Sequence, residues 1–262
     1  MQFSKWHALG NAYLLVERGE GAPALDAETA RRLCDPHTGI GSDGVLEVTA
    51  DGAVADVTVW NPDGTRAEFS GNGARIAAAW LAARARSADV LLRFGAREVA
   101  ASTRNREVEV DVGPVEVGAP EQLDLEIGRL EFTPVSVGNP HAVVRREFTE
   151  LDVERLGPLV ECHTRFPGRT NVQLVRVIGP RELEIGIWER GVGVTRSSGS
   201  SAVAAAAAAV VNGWCESPVT VRMPDGGNLR VTLAEGRARL AGPVEEICRG
   251  EFRPGRQRPR SR

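Results

Sequence analysis

Residues 70–84 read SGNGARIAAAWLAAR, and residues 198–212 read SGSSAVAAAAAAVVN. Each stretch begins with Ser-Gly and continues into an alanine-rich run, which favours a helix. The runs predict one helix over residues 73–84 and another over residues 201–212. Small side chains on both helices would let a surrounding sheet approach closely, so these two stretches decide the expected fold.

Two further landmarks repeat at the same spacing along the chain. Residues 9–12 (LGNA) correspond to residues 137–140 (VGNP), and residues 60–61 (WN) correspond to residues 188–189 (WE). Every pair is separated by 128 positions (139 minus 11, 188 minus 60 and 198 minus 70). Shared turn chemistry would explain one match, but three matches in one register indicate an internal repeat.

The same order of elements recurs in both halves. Short runs rich in Val, Leu, Ile and Trp, bounded by Gly and Pro, predict strands. These runs are residues 55–60, 107–112, 135–138, 171–177 and 183–188. We therefore predict an α+β fold with two pseudo-symmetric domains, residues 1–115 and residues 116–242. Each domain is expected to be a curved β-sheet or barrel around one central helix, and the domains meet face to face.

Composition and charge exclude several classes of protein. The chain has 262 residues, of which 42% are hydrophobic and 26% charged, with a net charge of −3. Nucleic acid is not expected as a partner, because phosphate binding needs a basic surface. The sequence starts without a signal-peptide pattern, and its longest apolar run, residues 202–211, is about half the length of a membrane-spanning helix. We expect a cytoplasmic protein with no membrane partner and a disordered tail over residues 255–262.

The four cysteines do not form a recognisable metal or disulfide pattern. Cys34, Cys162, Cys215 and Cys248 lack CxxC spacing and lie outside every repeated motif. Reduced thiols are therefore the better interpretation, and no metal site is predicted.

The two Ser-Gly motifs also predict an anion site. Free backbone N–H groups at a helix start, together with the helix dipole, favour a carboxylate, and glycine lets the main chain approach it. Either motif alone is more often a simple helix cap. Two of them at symmetric positions instead indicate a cleft between the domains, where both helices point at one carboxylate.

Polar residues near the landmarks fit such a cleft, although loop asparagines are more often turn formers. They are Asn11, Asn61, Asn139, Asn171, His141, Glu189 and Arg190. Arg190 follows a predicted strand and suits bidentate recognition of a second carboxylate. His141 lies two residues from a landmark and can position or protonate a catalytic group, whereas a lone histidine in a turn is more often structural.

Seven ordered motifs carry a family resemblance. They are FSKWHALGN at 3–11, GIGSDG at 39–44, NPDG at 61–64, GNGAR at 71–75, GNPH at 138–141, FPGRTN at 166–171 and WERG at 188–191. Together they resemble the diaminopimelate epimerase family over residues 1 to about 245. The resemblance implies a homodimer whose last strand, residues 243–254, returns to the first domain.

The resemblance implies an activity as well. Enzymes of this family invert the α-carbon of an amino acid without pyridoxal phosphate or metal. One cysteine thiolate removes the α-proton from one face, and a second cysteine thiol delivers a proton to the other face. For this chain the implied reaction interconverts LL- and meso-2,6-diaminopimelate, a precursor of lysine and peptidoglycan.

Roles for the residues of the predicted cleft follow from the same resemblance. Those that would hold the distal amino and carboxylate groups are Asn11, Asn61, Asn139, Asn171 and Arg190. Those whose N–H groups would hold the carboxylate of the reacting centre are Gly71, Asn72, Gly199 and Ser200. His141 and Glu189 would attend the two proton-transfer positions.

The chain departs from the family pattern at the reacting positions. Ser70 and Ser198 stand where the family uses cysteine, and the other departures are Ala12, Val194 and Ser201. A cysteine thiol has a pKa of about 8.5, and a serine hydroxyl lies about five units higher, so forming the alkoxide costs about 7 kcal/mol more. His141 or Glu189 would relieve this cost by taking the hydroxyl proton, but the sequence shows no third residue that orients such a pair.

Three interpretations stay open on the sequence alone. The chain is a diaminopimelate epimerase, as the complete set of distal-group residues favours. It is a related isomerase or dehydratase with one-sided proton chemistry on a smaller amino acid, as Ala12 and Val194 favour. Or it binds an amino acid or a protein partner without catalysis, and its serines are helix caps.

Overall fold

The computed structural model describes residues 1–19, 24–104, 107–224 and 226–253. The predicted disordered tail, residues 255–262, lies outside the described residues. Within the described residues the chain forms four helices and nineteen strands.

The first half contains two helices and eight strands. Their bounds are β1 Gln2–Ala8, β2 Asn11–Glu17, α1 Ala27–Cys34, β3 Val45–Asp51, β4 Val54–Trp60, β5 Arg66–Ala67, α2 Gly71–Ala85, β6 Asp89–Phe94, β7 Arg97–Arg104 and β8 Glu107–Pro114.

The second half contains the other two helices and the remaining strands. Their bounds are β9 Glu116–Val117, β10 Glu121–Leu125, β11 Gly128–Ser136, β12 Pro140–Arg145, α3 Glu150–Glu161, β13 Asn171–Gly179, β14 Glu182–Glu189, β15 Gly193–Val194, α4 Gly199–Val211, β16 Val219–Arg222, β17 Asn228–Ala234, β18 Arg237–Pro243 and β19 Glu245–Glu251.

Strand pairing repeats between the halves in the same order. In the first half β1–β2, β3–β4, β6–β7 and β7–β8 are antiparallel, and β2–β3 and β4–β6 are parallel. In the second half β11–β12, β13–β14, β16–β17 and β17–β18 are antiparallel, and β12–β13 and β14–β16 are parallel. A parallel pair needs a crossover, and each crossover holds one of the four helices. The predicted α+β fold with two pseudo-symmetric halves is confirmed.

One strand pair joins the halves into a single sheet. Strand β18 runs antiparallel to β8, with Arg237 opposite Pro114 and Pro243 opposite Glu107. The final strand, β19, pairs with β1 at the other edge of the first half. The exact domain boundaries proposed from the sequence stay a prediction.

The core forms around α2 and α4. In α2, the side chains of Ala74, Ile76, Ala77, Ala78 and Leu81 are fully buried, and in α4 every residue from 202 to 209 is at most 1% exposed. Both helices belong to one hydrophobic cluster. A helix that is apolar on all sides must be enclosed, and here the curved sheet encloses it. The two alanine-rich helices are therefore the centres around which the sheet of each half curves.

Each half also contains a second helix that was not predicted from the sequence. Helix α1 packs on Trp60, and helix α3 packs on Trp188, each in a smaller cluster on the outer side of the sheet. The sequence signal is weak because α1 has only eight residues. In α3 it is weak because Gly157 and Pro158 interrupt the helical pattern.

Three predicted boundaries also shift. The strand expected over residues 135–138 ends at Ser136, because Gly138 adopts a positive φ of 90° that breaks the strand. The central helices begin at Gly71 and Gly199, two residues earlier than expected. Both glycines are therefore the first helical residues, directly after their serine caps.

Candidate active site

Ser70 and Ser198 cap the two central helices with nearly the same backbone. Ser70 has φ −138° and ψ 121°, and Ser198 has φ −147° and ψ 120°. The first N–H groups of each helix have no partner inside the helix and carry the positive end of its dipole. Each half therefore presents an anion-binding helix end at the equivalent position.

The two helix ends meet each other. A Cβ atom added to Gly199 would lie 3.8 Å from the Cα atom of Gly71, and one added to Gly71 would lie 3.9 Å from the Cα atom of Gly199. Both distances are those of ordinary van der Waals contact, so the two helix starts lie directly beside each other. Two segments separated by 128 positions (199 minus 71) thus form one surface.

That surface borders a cavity of about 990 Å³. Ten of the residues predicted from the sequence line it, and both halves contribute. They are Asn11, Asn61, Ser70, Gly71, Asn72, Asn139, Glu189, Ser198, Gly199 and Ser200.

Three other predicted residues do not line this cavity. The Asn171 side chain is buried, donates to the Pro140 carbonyl and accepts from the Arg190 backbone N–H. The Arg190 guanidinium lies outside and donates to the Gly168 carbonyl at 3.0 Å. His141 borders a separate cavity of about 370 Å³, which it shares with Asn139.

His141 is a buried neutral imidazole in this structure. Its Nε2 atom lies 3.0 Å from the Asn139 Oδ1 atom, so Nε2 carries the proton and donates. Burial lowers the pKa of His141 to about 4. At neutral pH His141 therefore does not supply a positive charge, and it orients the amide of Asn139, which lines the main cavity.

The two cap serines differ in their side-chain partners. The Ser70 Oγ atom accepts from the Gly73 N–H at 3.0 Å and lies 3.0 Å from the Tyr13 phenol oxygen. Ser198 makes no side-chain cap bond, and its nearest hydroxyl is that of Ser200 at 3.5 Å. The site is symmetric in its backbone and asymmetric at its hydroxyl groups.

Tyr13 is a residue of the cavity that was not predicted from the sequence. It lines the main cavity, and burial raises the pKa of its phenol above the ordinary value of 10. The phenol is therefore protonated at neutral pH and able to donate to Ser70. Tyr13 lies two residues after Asn11 in β2, and alternation along a strand puts such residues on one face. That spacing was the available signal.

The carboxylate of Glu189, one of the two bases considered from the sequence, is oriented by a neighbouring side chain. The Thr195 hydroxyl donates to the Glu189 Oε1 atom at 3.1 Å. Glu189 also lies close enough to Tyr13 to raise its pKa by charge repulsion. Glu189 and Tyr13 both line the main cavity.

Some features are absent from the part of the chain that the structure describes. In those ranges no group of three or more His, Cys, Asp or Glu side chains is arranged to hold a metal ion. Nor is any helix there both long and apolar enough to cross a membrane.

Comparison with known proteins identifies the family. The family model of diaminopimelate epimerase matches residues 3–118 and 133–245. A diaminopimelate epimerase from Desulfitobacterium hafniense is 37% identical, over 95% of this chain and 97% of its own length. One from Thermobifida fusca is 36% identical, over 97% of this chain and 98% of its own.

A solved structure shares the fold at lower sequence identity. The Bacillus anthracis phenazine biosynthesis protein of the PhzF family is 12% identical and superposes with a TM-score of 0.73, covering 97% of this chain and 99% of that one. The family match spans both halves, including both helix starts. The chain therefore belongs to the diaminopimelate epimerase family, whose enzymes are isomerases independent of pyridoxal phosphate.

Proposed function

We propose that this isomerase interconverts LL- and meso-2,6-diaminopimelate by removing a proton from one face of the α-carbon and adding one to the other. The observation that carries the proposal is the meeting of two symmetric helix starts, with Ser70 and Ser198 lining one cavity. The relatives that match along nearly the whole chain bear the name diaminopimelate epimerase.

The proposed role of the helix starts is to hold the carboxylate of the reacting centre. Loss of the α-proton leaves negative charge, which spreads into that carboxylate. The N–H groups of Gly71, Asn72, Gly199 and Ser200 are fixed before the reaction and would stabilise this charge as it develops. The distal amino and carboxylate groups would be held by Asn11, Asn61 and Asn139, which line the cavity. Asn171, which accepts from the Arg190 backbone N–H, would instead fix the loop that follows Glu189.

The serines are proposed to carry the protons, at the positions where the family uses cysteine. In one direction the Ser70 alkoxide takes the α-proton and becomes a hydroxyl, while the Ser198 hydroxyl gives its proton to the opposite face. An alkoxide costs about 7 kcal/mol more to form than a thiolate. The Gly73 N–H and the Tyr13 hydroxyl both reach Ser70 Oγ and would offset part of that cost, because hydrogen bonds to charged groups are stronger.

One observation favours a second candidate. Ser198 has no comparable donors within hydrogen-bonding distance among the described residues. A site with one activated hydroxyl suits one-sided proton chemistry, in which Ser70 removes the α-proton and the intermediate is reprotonated elsewhere or loses a leaving group. The candidate is an isomerase or dehydratase of a smaller amino acid.

Proton exchange in D₂O distinguishes these candidates. LL- and meso-diaminopimelate are each incubated with the protein, and the α-proton signal is followed by NMR. Loss of the signal with formation of the other stereoisomer is the expected result. Exchange without inversion, or release of water or ammonia, supports the second candidate. No exchange, with binding seen by calorimetry, supports a non-catalytic binder, and no binding at millimolar ligand removes the substrate assignment.

We also propose that the enzyme works in the cytoplasm as a homodimer. All four cysteines are free, as expected in a reducing compartment. The outer strand β19 is exposed, and Ile247 on it is 52% exposed, which suits pairing with a second copy. Light scattering after size-exclusion chromatography tests the dimer, and a monomer at micromolar concentration contradicts it.

A further inference from the structure

Arg75 is a buried cation directly behind the two helix starts. It lies in the second turn of α2, and its side chain has no exposed surface. A Cβ atom added to Gly199 would lie 3.9 Å from its Nη1 atom, so the guanidinium reaches the start of α4. Burial lowers the pKa of Arg75 only to about 10, so it stays charged at neutral pH.

No carboxylate accompanies this charge. Among the described residues Arg75 takes part in no salt bridge, and its Nε and Nη1 atoms have no hydrogen-bond partner. Its neighbours are the positive ends of two helices, which make the surroundings still more electropositive. Buried charges are normally paired, so this arrangement calls for a function in the adjacent cavity.

Among the described residues the Arg75 side chain donates one hydrogen bond, and this bond sets the direction of a hydrogen-bond chain. Its Nη2 atom donates to Asn72 Oδ1 at 2.8 Å, and Asn72 Nδ2 donates to Asn11 Oδ1 at 3.1 Å. A guanidinium is only a donor, so the Asn72 oxygen must face Arg75. The Asn72 amide group must then face Asn11, and the Asn11 oxygen must accept.

The end of the chain therefore presents a donor to the cavity. Asn11 lines the cavity, and its oxygen is occupied by Asn72, which leaves its Nδ2 group facing a ligand. We propose that Arg75 is a positioning residue, which polarises the Asn72–Asn11 chain so that Asn11 donates to a carboxylate of the substrate. A chain of opposite polarity would present an oxygen, which attracts an ammonium group and repels a carboxylate. The inference rests on the proposed amino-acid isomerase.

The first test measures the direction of the hydrogen bonds in the Arg75–Asn72–Asn11 chain, in the absence of substrate. Side-chain NH₂ groups of Asn11 and Asn72 are assigned by ¹⁵N NMR, and their hydrogen exchange is compared. The Asn72 group is expected to exchange slowly and the Asn11 group quickly. In Arg75→Met the difference should disappear, whereas Arg75→Lys, which keeps one donor, should retain it. Equal exchange in the wild type, or no change in Arg75→Met, overturns the inference.

The second test measures carboxylate binding. With LL-diaminopimelate, Arg75→Met and Asn11→Ala should each weaken binding by about tenfold or more, since each loses a bond to a charged group. If Arg75 acts through Asn11, the double variant should be no weaker than either single variant. Additive losses overturn the inference. Arg75→Lys should restore most of the affinity.

A control variant and a replacement variant separate failure of the inference from loss of folding or loss of ligand binding. Arg84→Met removes an exposed arginine from the same helix and should leave binding unchanged. If Arg75→Met does not fold, Asn72→Ala, which interrupts the same chain between Arg75 and Asn11, takes its place in the cycle with Asn11→Ala, and the same non-additive loss is expected. Lack of ligand binding in the wild type refutes the substrate assignment, while the exchange experiment still tests the polarity.

Discussion

The contact of the Tyr13 phenol with Ser70 is the feature of this site that bears most directly on proton transfer. The Gly73 N–H donates to the Ser70 Oγ atom, and the Tyr13 phenol oxygen lies 3.0 Å from it, in a bond that either hydroxyl can donate. The equivalent Ser198 has neither contact. Because burial keeps the phenol protonated, the role that we propose for Tyr13 is to stabilise negative charge on Ser70 and not to act as a base.

Removal of the phenol hydroxyl should reduce turnover. In Tyr13→Phe the ring still fills its place, but Ser70 loses one donor, and a hydrogen bond to a charged group is worth about 1.5–3 kcal/mol. We expect kcat to fall about tenfold or more with little change in KM, measured by α-proton exchange. Thermal unfolding within a few degrees of the wild type is the control. An unchanged kcat would show that Ser70 does not carry charge.

Thiols at the two cap positions should increase the rate. The Ser70→Cys, Ser198→Cys variant replaces two hydroxyl groups with thiols that keep a few per cent thiolate at neutral pH. We expect α-proton exchange at least tenfold faster than in the wild type. Ser197→Cys, which adds a thiol to the same cavity, is the matched control and should not increase the rate. A slower double variant would argue against proton transfer by residues 70 and 198.

At the scale of the elements, the active site is a junction of two helix ends. Neither α2 nor α4 has an acidic residue in its first turn to satisfy its dipole. Their alanine-rich bodies are enclosed by the sheet, so the ends are held rigidly and the free N–H groups keep their direction. The glycine after each serine lies beside the glycine of the other helix end.

A methyl group on Gly199 should displace the side chain of Leu240, which lines the cavity. In Gly199→Ala the new Cβ atom would lie 2.9 Å from Leu240 Cδ2 and 3.8 Å from Gly71 Cα. We expect a loss of about 1–3 kcal/mol in the free energy of unfolding and a large loss of activity, measured by urea unfolding and by α-proton exchange. Gly179→Ala, where no atom lies within 4 Å, is the control. Full activity in Gly199→Ala would mean that the site does not depend on the position of Leu240.

At the scale of the whole molecule, two copies of one topology share a sheet and a site. The β8–β18 pair makes the sheet continuous, and the cavity takes residues from both halves. A ligand that touches both helix ends would bind only the folded chain, so it should raise the unfolding temperature. The buried polar groups around the site link overall stability to pH.

His141 should make the protein less stable in mild acid. Its pKa is about 4 when folded and about 6.5 when unfolded, so between these values the unfolded chain binds the extra proton. Stability is therefore full above about pH 6.5 and falls by up to roughly 3 kcal/mol towards pH 4. Urea unfolding at pH 7 and pH 4.5 measures this. His141→Gln should lose less stability over that range than the wild type, and the exposed control His37→Gln should behave like the wild type.

The sequence by itself determined the repeat, the two buried helices and most of the site. The common spacing of 128 positions indicated the repeat, and the two alanine-rich runs after Ser-Gly predicted the buried helices. Both signals can be read from the order of residue types alone. The motifs of a known family identified ten residues that line the cavity. The outer helices α1 and α3 were not predicted, because α1 is short and α3 contains Gly157 and Pro158.

Only the tertiary structure decided which side chains touch. The Tyr13–Ser70 contact joins residues 57 positions apart, and the Asn72–Asn11 bond joins residues 61 apart. The burial that makes His141 neutral, and the unpaired charge of Arg75, arise from atoms brought in by distant strands. Hydrogen bonding and desolvation depend on distances of a few ångströms in space, which a linear pattern of residue types does not contain.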